Sequence, residues 1–150
     1  MLSQKISDLG LGSFVSIDVE ATGLNIYKDK IIEISACKYL DGQLVSTFSK
    51  LINPNIRLSP FISNLTGIKN EDLIDKPYFN DISNALIDFI KDLPLVGHNI
   101  QFDLDFINKE LNEKFNIYNQ DYICDTYFLS RIFLFYSNSF KLSSLCENLD

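Results

Sequence analysis

The stretch Phe14-Val15-Ser16-Ile17-Asp18-Val19-Glu20-Ala21-Thr22-Gly23 decides how this chain is read. Phe14 to Val19 reads as a buried strand, and Gly23 as the turn that follows it. Asp18 and Glu20 stand two apart at the strand end, so their side chains point to the same face. Two carboxylates side by side there repel each other and lose hydration. A divalent cation relieves both costs, and oxygen-only ligands suit Mg²⁺ or Mn²⁺. The plain alternative is a strand running out into a solvated acidic turn. Thr22-Gly23-Leu24 adds to the first reading. A glycine lets backbone approach a ligand closely, a Thr hydroxyl can hold a phosphate or sugar hydroxyl, and Leu24 can stack on a base. The alternative there is a simple turn with a core leucine.

Outward from this stretch, Lys30 to Leu40 reads as a second strand. Asp41-Gly42 is a hairpin signal because both positions tolerate φ > 0. Gln43 to Ile52 completes the hairpin, and Pro54 ends it. Ser59-Pro60 opens a short helix that Thr66-Gly67 breaks. Asn70 reads as the N-cap of a further short helix ending before Pro77. Ile82, Leu86, Phe89, Ile90 and Leu93 recur at helical spacing, so Asn80 to Asp92 reads as an amphipathic helix. Leu95 to Gly97 is a short strand. Asn99 reads as the cap of a helix with a stripe of Phe102, Phe106, Leu111 and Phe115. Tyr122 to Cys124 reads as a strand, and Thr126 to Phe135 and Lys141 to Leu149 as helices, with Asp125 and Thr126 as caps. Phe128, Phe133 and Phe135 read as core. The order predicts one α/β domain over residues 1–150: a mixed sheet, with an antiparallel hairpin plus parallel strands, flanked by helices.

A second constellation is Gly97-His98-Asn99-Ile100-Gln101-Phe102-Asp103: strand end, polar turn and helix start. Asp103 falls in the first helical turn, where the helix dipole favours an anion. That electrostatic preference alone is the competing account of it, and plain core packing is the competing account of Phe102. Asp105, two positions on, faces elsewhere.

Composition narrows the function classes. The chain has 150 residues with 13 Lys+Arg, 20 Asp+Glu and one His, for a net charge of −7. At 46% hydrophobic and 22% charged residues it is ordinary for a globular domain rather than a disordered one. The acidic balance excludes a generic basic clamp on duplex backbone. It leaves room for a partner met at one small site through bound cations. Cys37, Cys124 and Cys146 form no CxxC pair, so they read as reduced thiols. No apolar run reaches the ~20 residues of a membrane span, and no secretory signal is seen. The expected location is the cytoplasm.

The residues from Phe14 to Asp150 resemble the DnaQ-like branch of the DEDD 3′→5′ exonucleases, the family of the proofreading epsilon subunit of bacterial DNA polymerase III. Asp18-Val19-Glu20-Ala21-Thr22-Gly23 resembles the first family motif, Asp-x-Glu-x-Thr-Gly. Asn99-Ile100-Gln101-Phe102-Asp103 resembles the second, Asn-x-x-Phe-Asp. Two motifs in the right order, about eighty residues apart, are strongly specific. Lys30 to Ile34, Leu65 to Ile68, and Cys124-Asp125-Thr126 are similar to further family segments.

The resemblance implies an RNase H-like fold and two-metal phosphodiester hydrolysis at single-stranded DNA 3′ ends, in proofreading or repair. It implies Asp18, Glu20 and Asp103 as catalytic metal ligands for Mg²⁺ or Mn²⁺. It implies Thr22, Gly23, Leu24, Thr66, His98, Asn99 and Phe102 as the pocket for the terminal nucleotide, and a polymerase subunit as a possible partner. Thr66 departs from the His often found there. The third family motif, His-x-x-x-x-Asp or Tyr-x-x-x-Asp, is absent from this chain. His98 and Asp103 are five apart, but their flanks are those of the second motif. The reading is therefore of a fold truncated at its C-terminal part, with an uncovered apolar face. A naturally short protein is the alternative. The rival functions are a catalytically deficient module that binds nucleotide or polymerase, and an exoribonuclease of the same superfamily.

Overall fold

The computed structural model describes residues 12–112, 115–117 and 123–149. Five strands form one sheet: β1 (Phe14–Ala21), β2 (Ile31–Leu40), β3 (Gln43–Leu51), β4 (Leu95–Gly97) and β5 (Ile123–Asp125). Their order across the sheet is β3-β2-β1-β4-β5. β1, β2 and β3 pair antiparallel, whereas β4 runs parallel to β1 and β5 parallel to β4. This is the mixed α/β sheet that the sequence predicts. The hairpin turn has Asp41 and Gly42 at φ 50° and 76°, the left-handed pair that a two-residue connection requires.

Val15, Ile17, Val19 and Ala21 are buried at alternate positions of β1, which gives the strand its core face. Helix α3 (Phe79–Ile90) lays Phe79, Ile82, Leu86 and Ile90 on that core, and helix α4 (Gln101–Leu111) adds Leu104, Phe106, Ile107 and Leu111. Phe115 lies past the end of α4 and packs against the same cluster from the following segment. Two short helices, α1 (Pro60–Thr66) and α2 (Asn70–Leu73), close a second cluster of Ile32, Leu58, Ile62, Ile68 and Leu73. Among the described residues, no helix is long and apolar enough to cross a membrane.

Several predicted details change. Ser59 caps α1, its Oγ accepting the Ile62 N–H at 3.3 Å, and Gly67 ends it at φ 76°. Asn70 is inside α2 rather than its cap; its Oδ1 accepts the Leu58 N–H at 2.8 Å and so serves a tertiary contact. Asn99 does not cap α4. It sits at φ 62°, a left-handed conformation that Asn tolerates, and Ile100 precedes the helix. The predicted lead-in through Gly10, and Tyr122, lie outside the described residues.

Helices α5 (Thr126–Phe133) and α6 (Leu142–Leu149) bury only Ser130 and Leu145. Phe128, Phe133 and Phe135 are therefore not core; they are 64%, 70% and 77% exposed. Helical spacing finds an apolar stripe but not what covers it, and among the described residues no element does.

Asp125 is read as a cap from the sequence, and it does more. Its Oδ1 accepts the Tyr127 N–H at 2.8 Å, capping α5, and the Asn99 N–H at 2.9 Å. One carboxylate oxygen thus holds the second motif's turn against the start of α5. Asp125→Ala should cost about 2 kcal/mol, from one lost cap and one lost backbone bond. Urea unfolding checks this, and a change below about 0.5 kcal/mol would show that water replaces both bonds.

Candidate active site

β4 is short, and its pairing with β1 is limited to Val15–Leu95 and Ser16–Val96. Beyond Ser16, β1 needs another partner on that side. The chain turns at Asn99 into α4, and the Asp103 carboxylate takes the place of a strand: its Oδ1 accepts the Val19 N–H at 2.8 Å. A helix residue thereby completes the ladder between Asp18 and Glu20. Asp103 is 4% exposed. Burial, chiefly, pushes its pKa up to about 7; the charges of Asp18 and Glu20 add to that and the Val19 N–H opposes it.

Asp18 and Glu20 lie on the β1 face opposite the core residues, as alternation predicts. Asp18 opens to solvent, yet the surrounding sheet desolvates it enough to raise its pKa. Burial also raises that of Glu20, helped by the charges of Asp18 and Glu33. Asp18, Glu20 and Asp103 thus act on one another electrostatically, and no ion pair with Lys or Arg among the described residues offsets them. Among the described residues, no three His, Cys, Asp or Glu side chains are gathered closely enough to hold a metal ion as they stand. The donor set fits a hard divalent cation in atom type and charge, with its positions left open.

Glu33 is the residue that motif reading underrates. It stands directly opposite Glu20 across the β1–β2 ladder, and its Oε1 accepts from the Ser35 Oγ at 3.5 Å. Its sequence signal is a lone carboxylate in Ile31-Ile32-Glu33-Ile34. Like charges directly opposite destabilise a sheet. Glu33→Gln should therefore stabilise the metal-free chain by about 0.5 kcal/mol, seen as a higher melting temperature in EDTA; a lower one would mean Glu33 has a cationic partner.

The loop after β1 is built around Asp29. Its carboxylate accepts from Thr22 Oγ1 at 3.0 Å and from the Asn25 N–H at 2.8 Å. Thr22 Oγ1 also accepts the Lys30 N–H at 3.1 Å. A Cβ at Gly23 would meet Asp29 Oδ2 at 2.5 Å, so a larger residue there would push the Asp29 carboxylate out of its place in the loop. Thr22 therefore spends its hydroxyl proton inside the loop rather than offering it to a ligand. Leu24 is 84% exposed and not a core leucine.

His98 is likewise engaged within the chain. Its Nε2 lies 2.8 Å from the Phe140 carbonyl, which only accepts, so Nε2 carries a hydrogen. Nδ1 contacts Thr126 Oγ1 at 3.1 Å, and the ring meets Tyr127 edge-on. Thr66 donates to the Ile62 carbonyl at 3.0 Å and accepts the Ile68 N–H, finishing α1. Phe102 is half-buried and packs on Phe106 at 4.8 Å between ring centroids. Asp105 is held by Gln101 Nε2 at 2.9 Å and faces elsewhere, as expected. An open recess beside Asn99 is lined by His98, Tyr127, Phe140 and Lys141.

Comparison with known proteins bears on this arrangement. Residues 15–150 match the RNase_T family model, described as exonuclease. The chain is 36% identical over 141 residues to the 3′-5′ exonuclease DinG of Staphylococcus epidermidis, covering 93% of this chain and 16% of that protein. It is 38% identical over 136 residues to the PolC-type DNA polymerase III of Caldanaerobacter subterraneus subsp. tengcongensis, covering 91% of this chain and 10% of that one. The chain therefore spans a small fraction of these relatives. A structure of exonuclease X in complex with 5′-overhanging duplex DNA has the same fold, with TM-score 0.69 and 23% identity over 90% of this chain and 72% of that one. With its two carboxylate motifs brought together by one buried hydrogen bond and its match running from Val15 to the last residue, the chain belongs to the RNase_T family of exonucleases.

Proposed function

We propose that this chain is a metal-dependent 3′→5′ exonuclease domain acting on single-stranded DNA 3′ ends. The observation that carries the reading is the Asp103–Val19 bond, which seats a buried carboxylate between Asp18 and Glu20. Asp18, Glu20 and Asp103 would hold Mg²⁺ or Mn²⁺. A divalent cation there supplies an activated water and neutralises charge on the phosphate. The chain's own part is positional. The Val19 N–H fixes one oxygen of Asp103, and the sheet fixes the spacing of Asp18 and Glu20. Leu24, apolar and exposed at the loop tip, offers a face for the terminal base. Gly23 allows close approach, and Asn99 and Phe102 border the helix start. Thr22 and His98 serve the site by holding the loop after β1 and the turn before α4, since their polar atoms bond within the chain, whereas the bonds of Thr66 finish α1. The relatives' names support DNA as substrate and a role beside a polymerase.

A second reading, a module that binds nucleotide without turnover, is favoured by the open placement of the carboxylates. A 5′-labelled single-stranded oligonucleotide separates the two. Digestion with Mn²⁺ should give a ladder shortening from the 3′ end, lost in EDTA. Retention of the oligonucleotide by folded protein with no ladder would establish the binding module instead. An RNA strand of the same sequence tests the exoribonuclease alternative, which needs 2′-hydroxyl contacts.

A further inference from the structure

The loop bearing Thr22, Gly23 and Leu24 and the helix bearing Asp103 come from distant parts of the sequence, and an ionic clasp joins them. Lys109, in the last turn of α4, donates from Nζ to the Asp29 backbone carbonyl at 2.9 Å and to Glu110 Oε1 at 3.1 Å. Glu110 Oε1 also receives Lys30 Nζ at 3.2 Å. The Glu110 side chain is 14% exposed, against 26% for Lys109 and 42% for Lys30. Asp29 is the same residue whose carboxylate holds Thr22 Oγ1 and the Asn25 N–H. An unbroken series of bonds therefore runs from α4 through Lys109 to Asp29 and into the loop. Among the described residues, neither lysine forms an ion pair with Asp18, Glu20 or Asp103.

We propose that Lys109 and Glu110 are positioning residues that fix the Leu24 loop relative to Asp103, so that grip on the terminal nucleotide depends on this clasp. The inference rests on the exonuclease reading above. The physical reason is that an exposed apolar tip binds only when its loop is already in place. A binding-competent state populated for a fraction of the time weakens apparent affinity by that fraction. The Lys109 bond to a backbone carbonyl is charge-assisted and partly shielded from water, so it outweighs an exposed ion pair.

Lys109→Met keeps the apolar stem and removes the donor; Lys109→Arg keeps a donor. The affinity of this chain for a labelled single-stranded DNA oligonucleotide with phosphorothioate linkages, which resist hydrolysis, is measured by fluorescence anisotropy in Mn²⁺. Amide hydrogen exchange is followed at Asn25 and Lys30, with Ile34 as the reporter of the sheet. Lys109→Met should raise loop exchange at least tenfold, leave Ile34 unchanged and weaken affinity about fivefold to tenfold. Lys109→Arg should restore most of both. Unchanged loop exchange overturns the proposal, as does faster exchange with unchanged affinity. If hydrolysis is followed as well, the loss should appear in KM with kcat within about twofold; a fall in kcat alone also overturns it. A wild-type chain that binds the strand but does not hydrolyse it sinks the exonuclease reading alone, because exchange and affinity are read without turnover.

Discussion

Asp103→Asn should make the metal-free protein more stable at pH 8, not less. Asn keeps an oxygen for the Val19 N–H, now 2.8 Å from Asp103 Oδ1, and removes a charge from a site that is 4% exposed. The unfolded carboxyl has its ordinary pKa of 3.8, while burial pushes the folded one up to about 7. Below pH 3.8 both states are protonated, and Asn and Asp differ little. Between 3.8 and about 7 the unfolded chain releases a proton that the folded chain keeps, so wild-type stability falls as pH rises. Above about 7 the fall is complete. A difference of about three pKa units corresponds to about 4 kcal/mol, so the variant should exceed wild type by up to that amount in EDTA at pH 8 and match it near pH 4. Denaturant unfolding at the two pH values measures the gap. Adding Mn²⁺ at pH 8 should narrow it, since a cation that binds the folded state stabilises it by mass action. Equal stabilities at pH 8 would mean that Asp103 ionises without cost and that its burial is not what the fold imposes.

The second large effect is on rate. Asp18→Ala should lower hydrolysis of the labelled oligonucleotide by about 10²–10³-fold, because metal-borne charge stabilisation is worth several kcal/mol and each 1.36 kcal/mol is a factor of ten. The fold should survive. Asp18 opens to solvent, and removing it relieves the repulsion felt by Glu20 and Asp103. The melting temperature in EDTA should therefore hold or rise while activity disappears, a combination that unfolding cannot produce. Activity within a few-fold of wild type would remove Asp18 from the reaction and with it the shared-cation reading of β1.

Much of this architecture is legible along the chain, because it is encoded by short-range physics. Alternation of apolar residues places β1 and puts Asp18 and Glu20 on one face. Asp41-Gly42 specifies the hairpin through positive φ at both positions. Ser59-Pro60 and Gly67 bracket α1 because capping is a matter of neighbours three or four residues away. Where the reading fails, a distant partner has intervened. Asn70 bonds Leu58 instead of capping, and Asn99, in a left-handed turn, gives its N–H to Asp125. Phe128, Phe133 and Phe135 have the spacing of a core stripe but lack an opposing surface among the described residues.

Propensity, periodicity and turn chemistry act over a few residues, and they carry the elements, the hairpin and the two carboxylate motifs along the chain. How the motifs meet depends on strand pairing and packing between distant segments. That β4 stops short, so that Asp103 completes the ladder at Val19, depends on a register no local pattern carries. That Glu33 faces Glu20 depends on strand pairing. That Lys109 reaches Asp29 depends on packing α4 beside the loop after β1. Burial, which gives Asp103 its raised pKa, belongs to the assembled sheet and helix and to neither segment alone.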